Sequence, residues 1–369
     1  MLYGGLHMKK VPNSATAHAA VVRKTRGRKP HSKTVNGLVI TAISLMSVLS
    51  LVFIGTGFYI LHLFDIIGSD SADDVSYVDS LPDEVDSGYE AIDDYKEIEE
   101  GAASVAEIPV RGNTKNIKNY MLIGVDSRRK NFVGLADSNI ILTLDSKNKQ
   151  IKLTSLLRDT LVTIPGRDRN NDGKDDYAKF NASYAYGGFD LLSKTVEQNF
   201  RLKIDQYITV NFTAFTETID KLGGVDIYLT AAEAKWIKVG TTAKVYHLNG
   251  GKALAYARIR KLDSDFGRTD RQRKMLTAMF KKAKGMSVGT LNSILNAFLP
   301  KVDTNISANE LTGFVFNSST YFSYTMDKTF HLPPNGEYRS APEFGLGSVL
   351  YLKDPAHAVT ELHKFIYNG

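Results

Sequence analysis

The residues best suited to chemistry lie in an arginine-rich segment over residues 256–274, which interleaves arginines and lysines with three aspartates. An arginine offers a planar fork of N–H donors that matches the oxygens of a phosphate group. Arg258, Arg260, Arg268 and Arg271 could therefore hold several phosphate oxygens at once. The segment is equally compatible with a solvated, charge-laced helix, so taken alone it leaves both interpretations open.

Three acidic motifs fall where predicted strands begin or end: Gly-Val-Asp126-Ser-Arg128, Ala-Asp137-Ser, and Ser-Leu-Leu-Arg158-Asp159. In open α/β sheets, ligand sites gather at strand ends. Asp126 and Asp137 could together hold Mg²⁺, which favours one or two carboxylates plus phosphate and water oxygens. Taken singly, each motif also fits an ordinary loop aspartate or a surface ion pair.

Residues 168–176 form a further oxygen-rich segment, with oxygen ligands at loop positions 1, 3 and 5 and a glycine at position 6. This pattern resembles a calcium-binding loop, but position 12, where a bidentate glutamate is needed, is Lys179. A calcium site and a polar surface loop are the two interpretations.

Other classes of active site find no support in the sequence. None of the histidines has a metal-binding spacing such as His-Glu-x-x-His, and no Gly-x-Ser-x-Gly or Walker-type loop is present. The absence of cysteine excludes a disulfide framework and thiolate metal sites or nucleophiles. Hydrolase triads and nucleotide P-loops are therefore not expected.

The elements that must position these residues alternate between strands and helices. Short apolar or alternating runs predict strands over residues 120–125, 139–144, 150–156, 207–212 and 225–229. Helical spacing predicts helices over residues 181–200, 215–222, 252–259, 269–283, 288–298, 308–316 and 356–366. This alternation predicts an α/β fold, a single layered domain over residues 117–369 with a mixed central β-sheet flanked by helices.

Residues 35–64 contain no Asp, Glu, Lys or Arg and are long enough to span a bilayer as one transmembrane helix. Bulky residues continue up to Asp65 without a small-residue cleavage site, which indicates an uncleaved signal-anchor. The preceding residues 1–34 carry a net charge of +8, so the positive-inside rule places this basic tail in the cytoplasm. The C-terminal domain is then expected outside the cell, on a single-pass protein of the cell membrane.

Residues 65–116 predict an acidic extracellular linker, since residues 65–100 carry a net charge of −13 and few aromatic residues. A helical stalk over residues 88–106 is the alternative. The remaining residues 101–369 carry +11, which favours anionic partners such as phosphorylated lipids, wall polymers or the membrane surface. Nucleic acid is the least suitable of these partners for an exported domain, and none is expected.

The order of the motifs is more specific than any one of them. After the three acidic motifs come Lys-Phe-Asn-Ala-Ser-Tyr, Leu-Gly-Gly-Val, Leu-Asn-Gly-Gly-Lys-Ala-Leu-Ala-Tyr-Ala-Arg-Ile-Arg and Asp-Phe-Gly-Arg-Thr-Asp-Arg-Gln. Over about residues 117–285 the chain closely resembles the LytR-CpsA-Psr family. Two positions depart from the usual pattern: Leu135-Ala136 replaces Arg-Ser, where Arg129 could supply the missing donor, and Arg273 replaces a glutamine and is expected to face solvent.

The resemblance implies a Gram-positive cell-wall phosphotransferase. It would move an anionic glycopolymer, such as teichoic acid or a capsular or wall polysaccharide, from a polyprenyl diphosphate carrier to peptidoglycan, forming a phosphodiester with Mg²⁺ as cofactor. The resemblance assigns the metal to Asp126 and Asp137 and catalysis to these two aspartates with Arg158, Arg258 and Arg268. The expected diphosphate-binding residues are Arg128, Arg158, Arg258, Arg260, Arg268, Arg271 and Gln272.

Several alternatives stay open at this point. The general base could be Asp126, Asp159 or Asp265. An apolar stripe of Phe212, Phe215, Ile219 and Leu222 could line a slot for the polyprenyl tail or simply fill the core. The protein could also be a non-catalytic regulator that binds anionic lipid or wall polymer, or a hydrolase of the lipid diphosphate. The identity of the polymer and the oligomeric state are not encoded in these motifs.

Overall fold

The computed structural model describes residues 96–125, 134–169, 171–341, 346 and 348–368. All of them belong to one compact unit, Gly57–Gly369. The predicted basic tail over residues 1–34 and the predicted transmembrane helix over residues 35–64 lie outside the described residues. Within the described ranges, no helix has the length and apolar character that crossing a membrane requires.

A six-stranded mixed sheet forms the centre of the fold, with the strand order β10-β3-β2-β1-β6-β9. Strands β1 and β6 run parallel, as do β3 and β10, whereas β2 runs antiparallel to both β1 and β3 and β9 runs antiparallel to β6. These strands are β1 (Ile117–Val125), β2 (Ala136–Asp145), β3 (Gln150–Leu156), β6 (Gln206–Asn211), β9 (Val302–Thr304) and β10 (Thr325–Leu332). The predicted mixed sheet is confirmed.

Three small two-stranded sheets lie outside the central one. They pair β4 (Leu161–Thr163) with β5 (Tyr177–Lys179), β7 (Val225–Leu229) with β8 (Lys244–Leu248), and β11 (Tyr338–Ala341) with β12 (Val349–Leu352). The predicted strand over residues 225–229 is therefore present, but it pairs only with β8, a strand that the sequence analysis did not predict.

The described helices, in chain order, are α1 (Lys96–Ala106), α2 (Phe180–Phe200), α3 (Phe212–Lys221), α4 (Ala231–Trp236), α5 (Gly250–Ala257), α6 (Asp265–Lys284), α7 (Val288–Phe298), α8 (Ala308–Phe316), α9 (Ser318–Tyr321) and α10 (Pro355–Tyr367), with a 3₁₀ turn at Leu299–Lys301. Their starts follow local capping chemistry. The Asn211 side chain accepts a hydrogen bond from the Ala214 N–H at the start of α3, and Asn249 does the same for α5. Within α2, the backbone is non-helical at Gly187 and Gly188.

Both faces of the central sheet are buried. Met121 and Ile123 of β1 point into a core shared with α2 and α10, while Tyr120 points into a second core with Leu299 and Leu311. Because neighbouring residues of a strand point to opposite faces, this alternation makes the molecule three layers deep. Helices flank the sheet on both sides, as predicted.

A third core lies around the β7–β8 hairpin. Ile219, Val225, Ile227 and Leu248 pack there with Tyr256 and Met275, so α3, α5 and α6 enclose the hairpin. From the sequence, Ile219 and Leu222 could either line a lipid slot or fill the core. In the structure they are 0% and 5% exposed. Tyr256 and Ile259, which belong to the arginine-rich segment, form part of this core.

Helix α1 falls within the segment that the sequence assigns to the acidic linker, residues 65–116. Its residue Val105 is 3% exposed and packs into the same core as α2 and α10. The folded domain thus starts before residue 117, because an apolar stripe on α1 has a surface to pack against. The alternative of a helix over residues 88–106 agrees with the described part of this segment.

A buried charge pair provides a test of this architecture. Lys152 of β3 and Asp145 of β2 each have side chains 1% exposed, with Nζ 3.4 Å from Oδ2, and the same Nζ donates to the carbonyls of Phe365 and Ile366 at 3.1 Å. Lys152→Met should lower the free energy of unfolding by about 3–5 kcal/mol, because it removes the counter-charge of a buried carboxylate, which keeps only the hydrogen bonds from Asn148, and the donor to two carbonyls. Chemical denaturation measures this loss.

Lys328 is the matched control, since it pairs with Lys152 across β10 and β3 but is exposed. Lys328→Met should change the free energy of unfolding by less than about 0.5 kcal/mol. Equal losses in the two variants would contradict a structural role for the buried pair.

Candidate functional site

The acidic motifs and the arginine-rich segment meet at one edge of the central sheet. Because β1, β3, β6 and β10 run in the same direction and β2 runs against them, the carboxyl ends of these four strands and the start of β2 share one edge. Asp137 lies at the start of β2, and Arg158 follows the end of β3. The N-terminal turns of α6 face the same edge, since Arg268 contacts Asp137.

A β-bulge presents Asp137. Gly124 pairs with Ser138 and Val125 pairs with Ala136, so Asp137 is an extra residue without a partner on β1. Such bulges turn a side chain away from its regular position in the sheet. The neighbouring glycine is required, because a Cβ on Gly124 would lie 2.9 Å from the Cβ of Ser138.

Arg158 joins three carboxylates from three different elements. Its Nη1 donates to Asp137 Oδ1 at 2.6 Å, and its Nε lies 3.3 Å from Asp159 Oδ2 and 3.6 Å from Asp265 Oδ1. Lys179 Nζ lies 3.3 Å from the other oxygen of Asp159. Strand β2, the loop after β3 and helix α6 therefore meet at one guanidinium group.

Two further arginines, Arg268 and Arg260, contact the same carboxylates. With Arg158 they form what is called here the arginine cluster. Arg268 is 2% exposed, donates from Nη2 to the backbone carbonyl of Asp137 at 3.0 Å and lies 2.9 Å from Asp265 Oδ1. Its Nε is buried without a hydrogen-bond partner. Arg260 Nη2 lies 3.5 Å from Asp137 Oδ1 on a side chain that is 48% exposed. A buried guanidinium N–H without a partner is suited to an incoming oxygen anion.

The pKa values follow from burial and charge in this cluster. Burial alone would lower the pKa of the Arg158 guanidinium, but Asp159, Asp137 and Asp265 outweigh it and the pKa is raised. Burial lowers the pKa of Arg268 to about 10, against the attraction of Asp265. Burial also raises the pKa of the Asp265 carboxyl, although Arg268 and Arg158 oppose the shift. At neutral pH both arginines keep their charge.

Gln272 and Arg258 border the cluster. Gln272 lies one turn beyond Arg268 on α6, and its Oε1 accepts a hydrogen bond from Ser138 Oγ at 3.0 Å. Arg258 is exposed, with its guanidinium carbon 4.4 Å from the centre of the Phe212 ring at the start of α3. An exposed guanidinium stacked on an aromatic ring is held in a defined orientation.

Arg271 belongs to a different set of contacts. It is 4% exposed and donates from Nε to Glu233 Oε1 at 2.8 Å and from Nη1 to the Ile259 carbonyl and Asp263 Oδ1 at 3.1 and 3.0 Å. Its Nη2 also donates to Asp263. The structure thus ties Arg271 to the loop between α5 and α6, which carries Arg260. Its assignment as a diphosphate ligand stays a prediction.

Arg273 corrects an expectation from the sequence. It does not face solvent: it is 5% exposed and donates from Nη1 to Ser155 Oγ of β3 at 2.7 Å. Burial lowers the pKa of this guanidinium. Helical spacing placed Arg273 next to Lys274 on an apparently charged surface, and only the packing of α6 across the sheet edge distinguishes the two. Lys274 is exposed, as expected.

Asp126 and Arg128 lie outside the described residues, as does Arg129. The last described residue before them, Val125, pairs with Ala136, the neighbour of Asp137. Among the described residues, no group of three or more His, Cys, Asp or Glu side chains could hold a metal ion. Of the two predicted metal ligands, only Asp137 is described. A single carboxylate fits a Mg²⁺ ion that is shared with phosphate oxygens and does not fit a site built wholly from protein ligands.

Two charged residues near the site were not singled out from the sequence. They are Lys179, which pairs with Asp159, and Glu233, which pairs with Arg271. From the sequence, Lys179 was named as position 12 of a calcium-type loop and as the first residue of the Lys-Phe-Asn-Ala-Ser-Tyr motif, but it was given no role in the site. In the calcium-type loop over residues 168–176, the Asp168 side chain accepts hydrogen bonds from the backbone N–H groups of Asp172 and Gly173. Glu233 had no signal, because its partner Arg271 lies 38 residues away.

Comparison with known proteins shows which proteins this chain is similar to. The profile of the LytR_cpsA_psr family matches residues 84–343. The chain is 33% identical over 264 residues to the polyisoprenyl-teichoic acid–peptidoglycan teichoic acid transferase TagV of Bacillus subtilis, covering 63% of this chain and 65% of that protein. It is 38% identical over 189 residues to the transferase TagU of Halalkalibacterium halodurans, covering 50% of this chain and 60% of that protein.

These matches span somewhat less than two thirds of the length of either relative. Among solved structures, TagT bound to LIIa-WTA aligns with a TM-score of 0.53 and 26% identity, over 68% of this chain and 91% of that chain. The similarity therefore includes the central sheet and its flanking helices.

The contact between Glu233 and Arg271 can be tested by Glu233→Gln. The variant should lower the free energy of unfolding by about 1.5–3 kcal/mol, because hydrogen bonds to charged groups contribute that much. It should also increase hydrogen exchange in residues 259–264, which Arg271 holds through Ile259 and Asp263. Lys235→Gln, an exposed position on the same helix, is the control.

The same variant carries a pH signature. Burial would raise the pKa of Glu233, but hydrogen bonds from Thr230 and Arg271 outweigh it and the pKa is lowered. The ionised form therefore contributes stability above the usual glutamate range, and this contribution is lost as pH falls through the folded-state pKa. Glu233→Gln should lack this acid-side loss in chemical denaturation, and an unchanged pH dependence would contradict the assignment.

Proposed function

The chain belongs to the LytR_cpsA_psr family, and we propose that it transfers an anionic glycopolymer from a polyprenyl diphosphate carrier to peptidoglycan. The observation that carries the proposal is the cluster at the sheet edge, where Arg158, Arg260 and Arg268 converge on Asp137. Phosphoryl transfer needs mainly positioned groups and stabilisation of charge, and arginines supply both. The relatives TagV and TagU, named as teichoic acid transferases, make teichoic acid the favoured polymer.

In the proposed reaction, a hydroxyl group of peptidoglycan attacks the phosphorus atom that bears the glycopolymer. A new P–O bond forms to the acceptor, and the P–O bond to the second phosphorus breaks, releasing polyprenyl phosphate. The hydroxyl proton passes to a carboxylate. The product is a phosphodiester between the glycopolymer and peptidoglycan, and the protein forms no covalent intermediate.

We assign the binding of the diphosphate to the arginine cluster. The partnerless Nε of Arg268 and the exposed guanidinium of Arg260 are donors for phosphate oxygens. Arg258, stacked on Phe212, is proposed to bind from the rim of the site. Gln272 orients Ser138 beside Asp137. Arg128 and Arg271 remain diphosphate ligands only on the strength of the family pattern.

Mg²⁺ is the proposed cofactor, with Asp137 and Asp126 as its protein ligands. When bound, it would supply positive charge to the phosphate oxygens that develop negative charge. Arg158 and Arg260 both contact Oδ1 of Asp137, so Oδ2 is the oxygen proposed for the metal ion.

Asp265 is the proposed general base. Burial raises the pKa of its carboxyl group, which brings its basicity closer to that needed for proton transfer at neutral pH. Asp159 is already paired with both Lys179 and Arg158. Asp265 also lies in the first turn of α6, directly beside Arg268.

The membrane anchor over residues 35–64 and the extracellular position of the domain belong to the same proposal. The observations in favour are the uncharged apolar run, the +8 charge before it and the basic domain after it. A polyprenyl carrier remains in the bilayer, so an anchored enzyme would meet its donor substrate there.

The direct test uses the full chain in detergent with Mg²⁺, a radiolabelled glycopolymer on polyprenyl diphosphate, and peptidoglycan fragments. The expected result is label joined to peptidoglycan through a phosphodiester, with release of polyprenyl phosphate. Free glycopolymer phosphate without acceptor product would indicate the hydrolase instead. Tight binding of the lipid with no turnover would overturn the enzymatic proposal and favour the binding regulator.

Asp265→Asn tests the general base. The variant should lose about 10²–10⁴-fold in kcat, the usual contribution of a positioned base, and should keep its affinity for the lipid diphosphate. In the wild type, the rate should fall as pH falls through the raised pKa of Asp265, because the base acts in its ionised form. This limb of the pH–rate profile should therefore lie above the ordinary aspartate range.

Asp270→Asn is the matched control, an aspartate on the same helix that pairs with Lys274 at 2.7 Å. It should leave both kcat and the acid limb unchanged. A wild-type acid limb that persists at the same pH in Asp265→Asn would exclude this residue and return the choice to Asp126 or Asp159.

A further inference from the structure

The outer face of the β7–β8 hairpin carries two large apolar side chains that are mostly exposed. Tyr228 and Val245 pair across the two strands and are 61% and 59% exposed. The opposite face carries Val225, Ile227 and Leu248, which fill the hairpin core. A two-stranded sheet with one solvated face normally places polar residues there, so this apolar pair requires an explanation.

Trp236 extends the feature beyond the hairpin. It ends helix α4, is 45% exposed and is the single tryptophan of the chain. Only a few extended residues and one short helix separate it from Tyr228, so the two Cα atoms lie within about 18 Å of each other. Three of the seven exposed large apolar side chains in the described part of the chain thus belong to one unit.

Three basic residues neighbour these side chains along the chain. Lys235, Lys238 and Lys244 are all exposed. Residues 225–248 contain two acids, and both already have partners: Asp226 lies 2.8 Å from His247, and Glu233 accepts from Arg271. The free charge of this unit is therefore positive, which complements an anionic surface.

We propose that Tyr228, Trp236 and Val245, with the lysines around them, form a docking surface for an anionic phospholipid bilayer. Tyrosine and tryptophan prefer the membrane interface, where the ring lies among acyl chains and the polar end reaches water. Lysines add attraction to anionic headgroups. The surface is separate from the predicted anchor and from the arginine cluster.

The size of the patch favours a bilayer over a protein partner. The three side chains expose on the order of 300 Å² in total, given the area of aromatic residues. A stable protein interface buries about 800 Å² on each partner. Shallow insertion of a few aromatic and aliphatic side chains into headgroups needs no comparable area, because the lysines provide additional attraction.

The docking surface is connected to the candidate site through α4. Glu233 of this helix binds Arg271 of α6, and three residues earlier on α6 Arg268 contacts Asp137. A bilayer bound at Trp236 would therefore be held in a defined orientation to the arginine cluster. The inference thus rests on the proposed function, since a polyprenyl diphosphate presents its phosphates at the membrane surface.

Trp236 itself provides the measurement, because it is the only tryptophan in the full chain. The full chain is reconstituted in vesicles of phosphatidylglycerol and phosphatidylcholine, or of phosphatidylcholine alone, with or without brominated acyl chains. We expect a shift of tryptophan emission to shorter wavelength and at least threefold stronger quenching by brominated lipid when phosphatidylglycerol is present.

Tyr228→Ser combined with Val245→Ser should reduce this quenching at least threefold, and replacing the three lysines by glutamine should remove its dependence on phosphatidylglycerol. Phe316→Ser, which removes an exposed apolar residue from α8, is the control and should leave quenching unchanged. Equal emission with and without vesicles, or no effect of brominated lipid, would overturn the proposal. A shift that depends on protein concentration, without lipid quenching, would overturn it in favour of a second copy of the chain.

The transfer assay separates this inference from the proposed function. The double variant should keep wild-type transfer in detergent with a short-chain, water-soluble polyprenyl donor, and should lose at least threefold in transfer from a long-chain donor in vesicles. Quenching without transfer by the wild type would leave the docking surface standing and remove the enzymatic proposal. Transfer without quenching would remove only the docking surface.

Discussion

A buried guanidinium group requires counter-charges, and this requirement organises the candidate site. Arg158, Arg268, Arg271 and Arg273 are largely enclosed, and each contacts groups from other elements. Because breaking a buried ion pair is strongly destabilising, these contacts fix α6 across the edge of the central sheet. The same contacts leave donors such as Arg268 Nε without a partner, so the cluster is structural and at the same time able to receive an anion.

The arginines of the arginine-rich segment, residues 256–274, fall into two groups with different contacts. Their spacing in the sequence does not reveal this division. Arg260 and Arg268 face Asp137, whereas Arg271 faces Glu233 and Asp263 and holds the loop between α5 and α6. Arg268 and Gln272, four positions apart on α6, both contact residues at the start of β2. Arg271, three positions beyond Arg268, instead contacts Glu233 and Asp263. One short segment thus serves both binding and positioning.

The sequence predicted the fold better than it predicted the pairing of its parts. Period-two and period-3.6 patterns reflect local burial, so β1, β2, β3 and most helices were recognised with shifts of a few residues at their ends. Strand β8 was missed because Lys244 and His247 weaken its apolar alternation, and its stability comes from pairing with β7. Helix α1 was assigned to a linker because its acidic composition conceals the stripe that buries Val105.

The sequence alone determined the chemical types present: arginines for oxygen anions, aspartates at strand ends, and an order of motifs that identifies the family. Those properties depend on residue identity and local spacing. Only the tertiary structure decided that a bulge presents Asp137, that Arg158 joins three carboxylates, and that Arg273 is buried against Ser155. Two of these contacts, Arg158 with Asp265 and Arg273 with Ser155, join residues more than one hundred positions apart. The packing of α6 on the sheet creates them, and local sequence does not encode them.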